Sequence, residues 1–216
     1  MHPVWLFDLD NTLHNASAHI FPHINRSMTA YLAEHLGVPE DEANALRLSY
    51  WQRYGATLTG LMRHHGTDPH HFLRETHRFD RLHDMMVFDR ALSAMLTRLP
   101  GRKIVFSNGP AAYVEAIVSA MGIRRHFDEV FAVEHMRFEP KPSPRAFRHL
   151  LREHRLRAER CILVEDSSDN LRTAKKLGMK TVLVTRGLRR PAYADIRIGS
   201  VLDLRRAYGR LISPLA

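Results

Sequence analysis

Asp8 and Asp10 are the residues whose type and spacing most directly suggest chemistry. They close the segment Val4-Trp5-Leu6-Phe7-Asp8-Leu9-Asp10-Asn11-Thr12-Leu13, where an apolar, strand-like run ends in two carboxylates spaced two apart. Past the end of a strand, that spacing lets both side chains turn toward one point while Leu9 points away. The carboxyl edge of a buried strand is where open α/β sheets bind ligands. Two acids held together repel, so something cationic or a shared proton must join them. Taken alone, the pair could equally be a capped strand end with solvated acids. Three further stretches follow it in order. Ile104-Val105-Phe106 leads into Ser107-Asn108-Gly109, a small hydroxyl residue at a strand end. Glu139-Pro140-Lys141-Pro142-Ser143-Pro144 sets one lysine in a rigid loop before a helix, and Cys161-Ile162-Leu163-Val164 runs into Glu165-Asp166-Ser167-Ser168-Asp169-Asn170.

In this order the four stretches resemble the motifs of the haloacid dehalogenase-like hydrolase superfamily. The resemblance implies that Asp8 is a nucleophile that becomes an aspartyl-phosphate. It implies that Asp10 first protonates the leaving oxygen and then deprotonates the attacking water. Ser107, with the exposed amides around Asn108 and Gly109, would hold phosphoryl oxygens, and Lys141 would pair with Asp8 and the phosphoryl group. The metal ligands implied are the Asp8 side chain, the Asp10 backbone carbonyl and Asp166. Many relatives carry a second acid four residues after the first acid of the last motif. Here position 170 is Asn and the acid is Asp169, so Glu165 and Asp169 are candidates for indirect contact, through water or a neighbouring ligand.

Physical chemistry supports such a division of labour. Phosphate monoester hydrolysis needs up to ~10²¹-fold acceleration, and a carboxylate nucleophile splits it into two easier steps. Asp8, Asp10 and Asp166 with a phosphate dianion bring up to five negative charges together. Each unit pair 4 Å apart costs about 4 kcal/mol at an effective dielectric of ~20, more than Lys141 alone offsets. A hard divalent cation does offset it, and Mg2+ suits a few carboxylates plus a substrate phosphate.

Asp10 argues against a dehalogenase, whose pattern lacks this acid. The stretches Arg53-Tyr54-Gly55-Ala56-Thr57-Leu58-Thr59-Gly60-Leu61, His64-His65-Gly66-Thr67-Asp68-Pro69 and Leu99-Pro100-Gly101-Arg102-Lys103 are similar to the pyrimidine 5′-nucleotidase branch. Arg53, Tyr54 and Thr57 are accordingly candidates for contact with a base and ribose, since a Tyr face stacks and a Thr hydroxyl pairs with carbonyl edges. Tyr54, Leu58 and Leu61 also fit a helical core stripe. The expected activity is a Mg2+-dependent phosphatase acting on a pyrimidine nucleoside 5′-monophosphate. A sugar-phosphate phosphatase, a phosphomutase and a non-catalytic basic binding protein are the alternatives. A receiver-type phosphoacceptor is disfavoured by the long insertion after the first acidic motif.

These residues require a sheet to hold them. From residue 87 strands and helices alternate, the pattern of a parallel sheet with crossover helices. Strands are expected near 103–107, 129–133, 161–165, 180–184 and 194–200, and helices near 110–121, 143–154, 168–177 and 202–211. Ser143 and Ser168 are candidate helix starts. Leu13 and Lys103 stand about 90 residues apart, whereas a crossover needs a dozen or so. The surplus reads as helical over Ile24–Leu36, Glu40–Tyr54, Leu58–His65 and Pro69–Phe79. The expected fold class is therefore α/β, a Rossmann-like parallel core of residues 1–14 and 86–216 with an all-helical cap, 15–85, inserted between the first two motifs.

Composition bounds the rest. With 216 residues, 44% hydrophobic and 25% charged, the chain is ordinary for a soluble domain. No apolar run approaches the ~18 residues of a membrane span, so no membrane partner is expected. The single cysteine, Cys161, fits core packing and a reducing compartment, and the start of the chain shows no leader, so the expected location is cytoplasmic. Net charge is +9, with 27 arginines against 5 lysines, but the basic residues are scattered. Capture of a small phosphorylated substrate, or solubility alone, explains that charge better than a nucleic-acid partner does. The 15 histidines lack a clean metal-ligand spacing.

Overall fold

The computed structural model describes residues 2–212; residue 1 and residues 213–216, both within the expected core segments, lie outside the described residues. Six strands form one parallel sheet: β1 (Val4–Phe7), β2 (Arg102–Phe106), β3 (Glu129–Phe131), β4 (Cys161–Glu165), β5 (Lys180–Val184) and β6 (Ile196–Ile198). Their spatial order is β3-β2-β1-β4-β5-β6, the doubly wound Rossmann-like arrangement expected from the sequence. β1 lies between β2 and β4, with Phe7 in register with both Val105 and Val164. The chain therefore turns from one half of the sheet to the other beside the carboxyl end of β1.

Six helices separate β1 from β2: α1 (Ile20–Leu36), α2 (Glu40–Tyr54), α3 (Thr57–His65), α4 (Pro69–Thr76), the single turn α5 (Leu82–Met85) and α6 (Leu92–Arg98). The later crossovers carry α7 (Ala111–Ala120), α8 (Pro144–Glu153) and α9 (Ser168–Lys176), and α10 (Leu204–Ile212) follows β6. Parallel strands covered on both faces must be apolar on both. Trp5, Phe7, Val105, Ile162 and Val164 enter one core with the inner faces of α6, α7 and α10. Leu6, Ile104, Phe106, Cys161 and Leu163 enter the other with α8 and α9. Burial also pushes the Cys161 thiol up to about 12, which suits packing rather than reactivity.

α1 begins at Ile20, four residues before the expected Ile24, because Pro22 falls in the first turn, where its missing N–H has no bond to lose. α4 starts where expected, with the Asp68 side chain accepting from the His70 amide at 3.1 Å, but ends at Thr76 rather than Phe79. Ser143 caps α8, accepting from the Arg145 amide at 3.3 Å. α9 starts at Ser168 as expected, and the preceding Ser167 makes no side-chain capping bond. α5 and α6 were not foreseen; α6 buries Leu92, Met95 and Leu96, a helical stripe only two turns long.

Candidate active site

Lys141 is the hub of the carboxyl edge. Its Nζ donates to Asp8 Oδ1 at 2.8 Å, Glu165 Oε2 at 2.9 Å and the Phe106 carbonyl at 2.6 Å. An ammonium has three protons, and all three are used. These partners come from the ends of three adjacent strands, β1, β4 and β2, so the lysine ties the middle of the sheet together. Its own loop is pinned by Asn108, whose side chain accepts from the Lys141 amide at 2.8 Å and donates to its carbonyl at 2.9 Å. The Asn108 side chain is spent on positioning Lys141, which leaves its backbone amide, unbonded among the described residues, as the group it can offer a phosphate. Ser107 is buried beside it, and its Oγ accepts from the Gly109 amide at 3.0 Å while the hydroxyl proton stays free for an oxyanion.

The charges here are held at a cost. Burial, with the Glu165 carboxylate adding to it, raises the Asp8 carboxyl to about 7 against the pull of Lys141. Burial also raises Glu165 and Asp166, and the Asp8 charge lifts Asp166 further. Burial alone would lower Lys141, but Asp8 and Glu165 outweigh it and hold the ammonium charged well above its ordinary range. One lysine among three crowded carboxylates leaves the cluster short of positive charge. Oxygens of Asp8, Glu165 and Asp166 lie within 4.8 Å of one another, and no other such set of three metal-ligating groups occurs among the described residues. An all-oxygen carboxylate set of this size fits a hard divalent cation.

Glu165 is already engaged: besides Lys141 it accepts from the Asn170 side chain at 2.9 Å and the Ser167 amide at 3.1 Å. It is thus an anchor for Lys141. Asp169 is not brought into the cluster; its side chain is 72% exposed and its nearest cation is Arg172, 3.9 Å away. The helix turns Asp169 outward and Asn170 inward, so the amide takes the inward position that the acid was expected to share.

Asp10 sits just beyond, on the turn where Asn11 adopts a left-handed backbone (φ 63) and its Oδ1 accepts from the Ser17 amide. Tyr113 Oη donates to Asp10 Oδ1 at 2.5 Å, and His14 Nε2 lies 2.9 Å from the same oxygen. The sequence reading missed Tyr113, His14 and Asn170. His14 is four residues from Asp10 and could have been noticed; nothing local links Asp10 to a tyrosine 103 residues away.

The helical segment reaches the same edge. A Cβ on Gly55, in the turn between α2 and α3, would stand 3.9 Å from Pro142, the residue after Lys141. Tyr54 precedes that turn, with its hydroxyl 2.6 Å from His64 Nε2 and the Arg53 and Arg63 guanidinium groups at 5.4 and 5.0 Å from its ring centre. Thr57 is a correction: it is buried and its hydroxyl donates to the Arg47 carbonyl at 3.1 Å, which fixes α3 on α2 instead of facing a ligand.

A doubly wound α/β sheet with buried carboxylates and a lysine at its switch point defines a ligand-binding enzyme core. Residues 4–178 match the family model described as haloacid dehalogenase-like hydrolase, and the chain belongs to that family. Phosphate metabolism protein 8 of Saccharomyces cerevisiae is 27% identical over 196 residues, which is 83% of this chain. The match spans only 60% of the yeast relative's length. Phosphoglycolate phosphatase of Rhodospirillum rubrum is 28% identical over 224 aligned positions, covering 92% of this chain and 86% of its own. Among solved structures, a HAD phosphatase from Thermococcus onnurineus superposes with a TM-score of 0.66 at 21% identity, over 97% of this chain and 98% of that one, a likeness of fold. No helix among the described residues is long and apolar enough to cross a membrane.

Proposed function

We propose that this hydrolase is a magnesium-dependent phosphomonoesterase that works through a phosphorylated Asp8, with a pyrimidine nucleoside 5′-monophosphate as its substrate. The observation that carries the reaction is the buried Asp8–Lys141–Glu165 array beside Asp166 at the switch point of the sheet. Relatives named as phosphatases support the reaction class.

Asp8 attacks phosphorus from a fixed position, because Lys141 holds one of its oxygens and β1 ends directly behind it. The Lys141 ammonium, bonded to Asp8, puts its positive charge beside the position of attack, so charge developing there meets a cation already in place. The Ser107 hydroxyl and the Asn108 amide hold the non-bridging oxygens. Asp10 gives a proton to the leaving oxygen and later takes one from the water that cleaves the aspartyl-phosphate. Asp8, Asp166 and the Asp10 backbone carbonyl are the groups that would hold magnesium, which when bound supplies the positive charge that lets one anion attack another.

The nucleotide reading rests on the helical segment, residues 15–85, acting as a cap. Its α2–α3 turn comes close to Pro142, the residue after Lys141, and this approach supports a role for Arg53 and Tyr54 in substrate contact. The Tyr54 ring offers a face for a base and the arginines a positive surround. The relative named phosphoglycolate phosphatase favours a different small phosphoester as the second reading.

Phosphate release across nucleoside 5′-monophosphates, phosphoglycolate and sugar phosphates, with magnesium and with EDTA, separates these readings. Metal-dependent release led by UMP or CMP supports the nucleotidase; release led by another ester removes it and keeps the phosphatase. Asp8→Asn is expected to abolish turnover with an unchanged circular dichroism spectrum, and substantial residual turnover would rule out Asp8 as nucleophile.

A further inference from the structure

We infer that Tyr113 and His14 are positioning residues for Asp10: they occupy its Oδ1 and leave Oδ2 as the oxygen that exchanges protons with substrate and water. The inference rests on the proton-transfer role given to Asp10 above.

Both contacts fall on one oxygen. Tyr113 Oη donates to Asp10 Oδ1 at 2.5 Å and His14 Nε2 stands 2.9 Å from it, while no hydrogen bond reaches Oδ2 among the described residues. Oδ1 already accepts from the Tyr113 hydroxyl and faces His14 Nε2, which bonds a carboxylate in its Nε2–H tautomer, so Oδ2 is the oxygen left open to exchange a proton. Rotation of the carboxyl group would break both bonds at once, which fixes the direction in which Oδ2 points. The Asp10 side chain keeps 16% of its surface exposed, so the group is not sealed from solvent.

Neither partner is explained by packing alone. Tyr113 is 4% exposed, in the first turn of α7, and a phenylalanine would fill the same core; its hydroxyl needs a partner to be buried, and Asp10 is that partner. Its ring is flanked by Phe79 at 5.7 Å and His77 at 5.6 Å, both from the segment after α4, so the helical insertion helps hold it. His14 is fully enclosed, and its Nδ1 is buried without a hydrogen bond. A histidine placed for general packing would satisfy that nitrogen. Among the described residues this ring makes a single polar contact, and that contact is Asp10.

The chemistry balances on one atom. In the first step the Oδ2 proton moves to the ester oxygen as the bond from that oxygen to phosphorus breaks and the Asp8–phosphorus bond forms. In the second, Oδ2 takes a proton from water as the water oxygen bonds to phosphorus and the Asp8–phosphorus bond breaks.

The test is Tyr113→Phe, which keeps the ring and removes the hydroxyl, followed by rapid mixing with magnesium and two esters. With a nucleoside 5′-monophosphate or another alkyl phosphate, whose leaving oxygen needs a proton, product release is expected to fall ~10–100-fold, part of the 10²–10⁴ that a placed acid contributes. With 4-nitrophenyl phosphate the leaving group departs as an anion. Its single-turnover release is therefore expected to stay within about threefold of wild type, while the steady rate falls because activation of water still needs Oδ2. His14→Leu removes the other contact at similar volume and is expected to give the same contrast between esters. Equal losses on both esters, or no loss on either, would overturn the inference and leave both residues to packing. Wild-type protein that cleaves neither ester would instead remove the phosphatase reading itself.

Discussion

At Asp8 the demands of folding conflict with the catalytic role proposed for it. Its carboxyl is raised from 3.8 to about 7, by burial first and the Glu165 charge second, even with Lys141 bonded to it. The unfolded chain therefore gives up this proton before the folded one does. Between about pH 4 and pH 7 the folded state binds more protons, so the metal-free protein loses stability as pH rises through that window. Asp8→Asn removes the cost. In EDTA at pH 8 the variant is expected to melt higher, by on the order of 1–3 kcal/mol of stability, and the advantage should vanish near pH 4. A variant that melts lower than wild type at pH 8 would mean that the Lys141 pair outweighs the repulsion. The same argument explains why a carboxylate cluster this deep suits a cation: bound charge relieves what burial and Glu165 impose.

Among the elements, the helical segment is held by close approaches that local sequence patterns do not announce. α3 crosses α2 so tightly that a Cβ on Gly60 would lie 2.2 Å from Tyr50 Cγ. The Tyr50 hydroxyl reaches His65 Nε2 at 2.7 Å across the same junction. Gly60→Ala forces the two helices apart and is expected to cost about 1–3 kcal/mol, read as a lower melting temperature. Because this junction carries the turn over Pro142, KM for large substrates should rise more than KM for a small aryl phosphate. An unchanged melting temperature would show that Tyr50 moves freely aside. In the sheet, Gly101 before β2 serves a comparable purpose: its φ is +101, and a Cβ there would meet the Pro3 carbonyl at 2.2 Å. The strands were legible as short apolar runs ended by polar or turn residues, and the long helices as extended stretches between turn signals. α5 and α6 were not, since one or two turns supply too few repeats to stand out from a loop.

Over the whole molecule, a net charge of +9 accompanies a site proposed to take an anion. Such an envelope speeds capture at low salt, and the screening length shrinks from ~30 Å at 0.01 M to ~8 Å at 0.15 M. kcat/KM toward a phosphorylated substrate is expected to fall several-fold across that range, with kcat little changed. A flat salt profile would assign the basic surface to solubility alone.

Three of the four motifs were readable from the chain because each is local, an apolar run broken off by acids or a small hydroxyl residue, and the fourth because one lysine stands between prolines ahead of a helix. Their order fixed the expectation of a parallel sheet with a helical insertion, and with it the positions of Asp8, Asp10, Ser107, Lys141 and Asp166. Tertiary structure decided which of these groups meet. It spent the Asn108 side chain on the Lys141 loop, buried the Thr57 hydroxyl against Arg47, turned Asp169 to solvent and Asn170 inward, and set Tyr113 on Asp10 from 103 residues away. Those outcomes depend on strand order, helix rotation and packing between distant segments, and residue spacing along the chain carries no record of them.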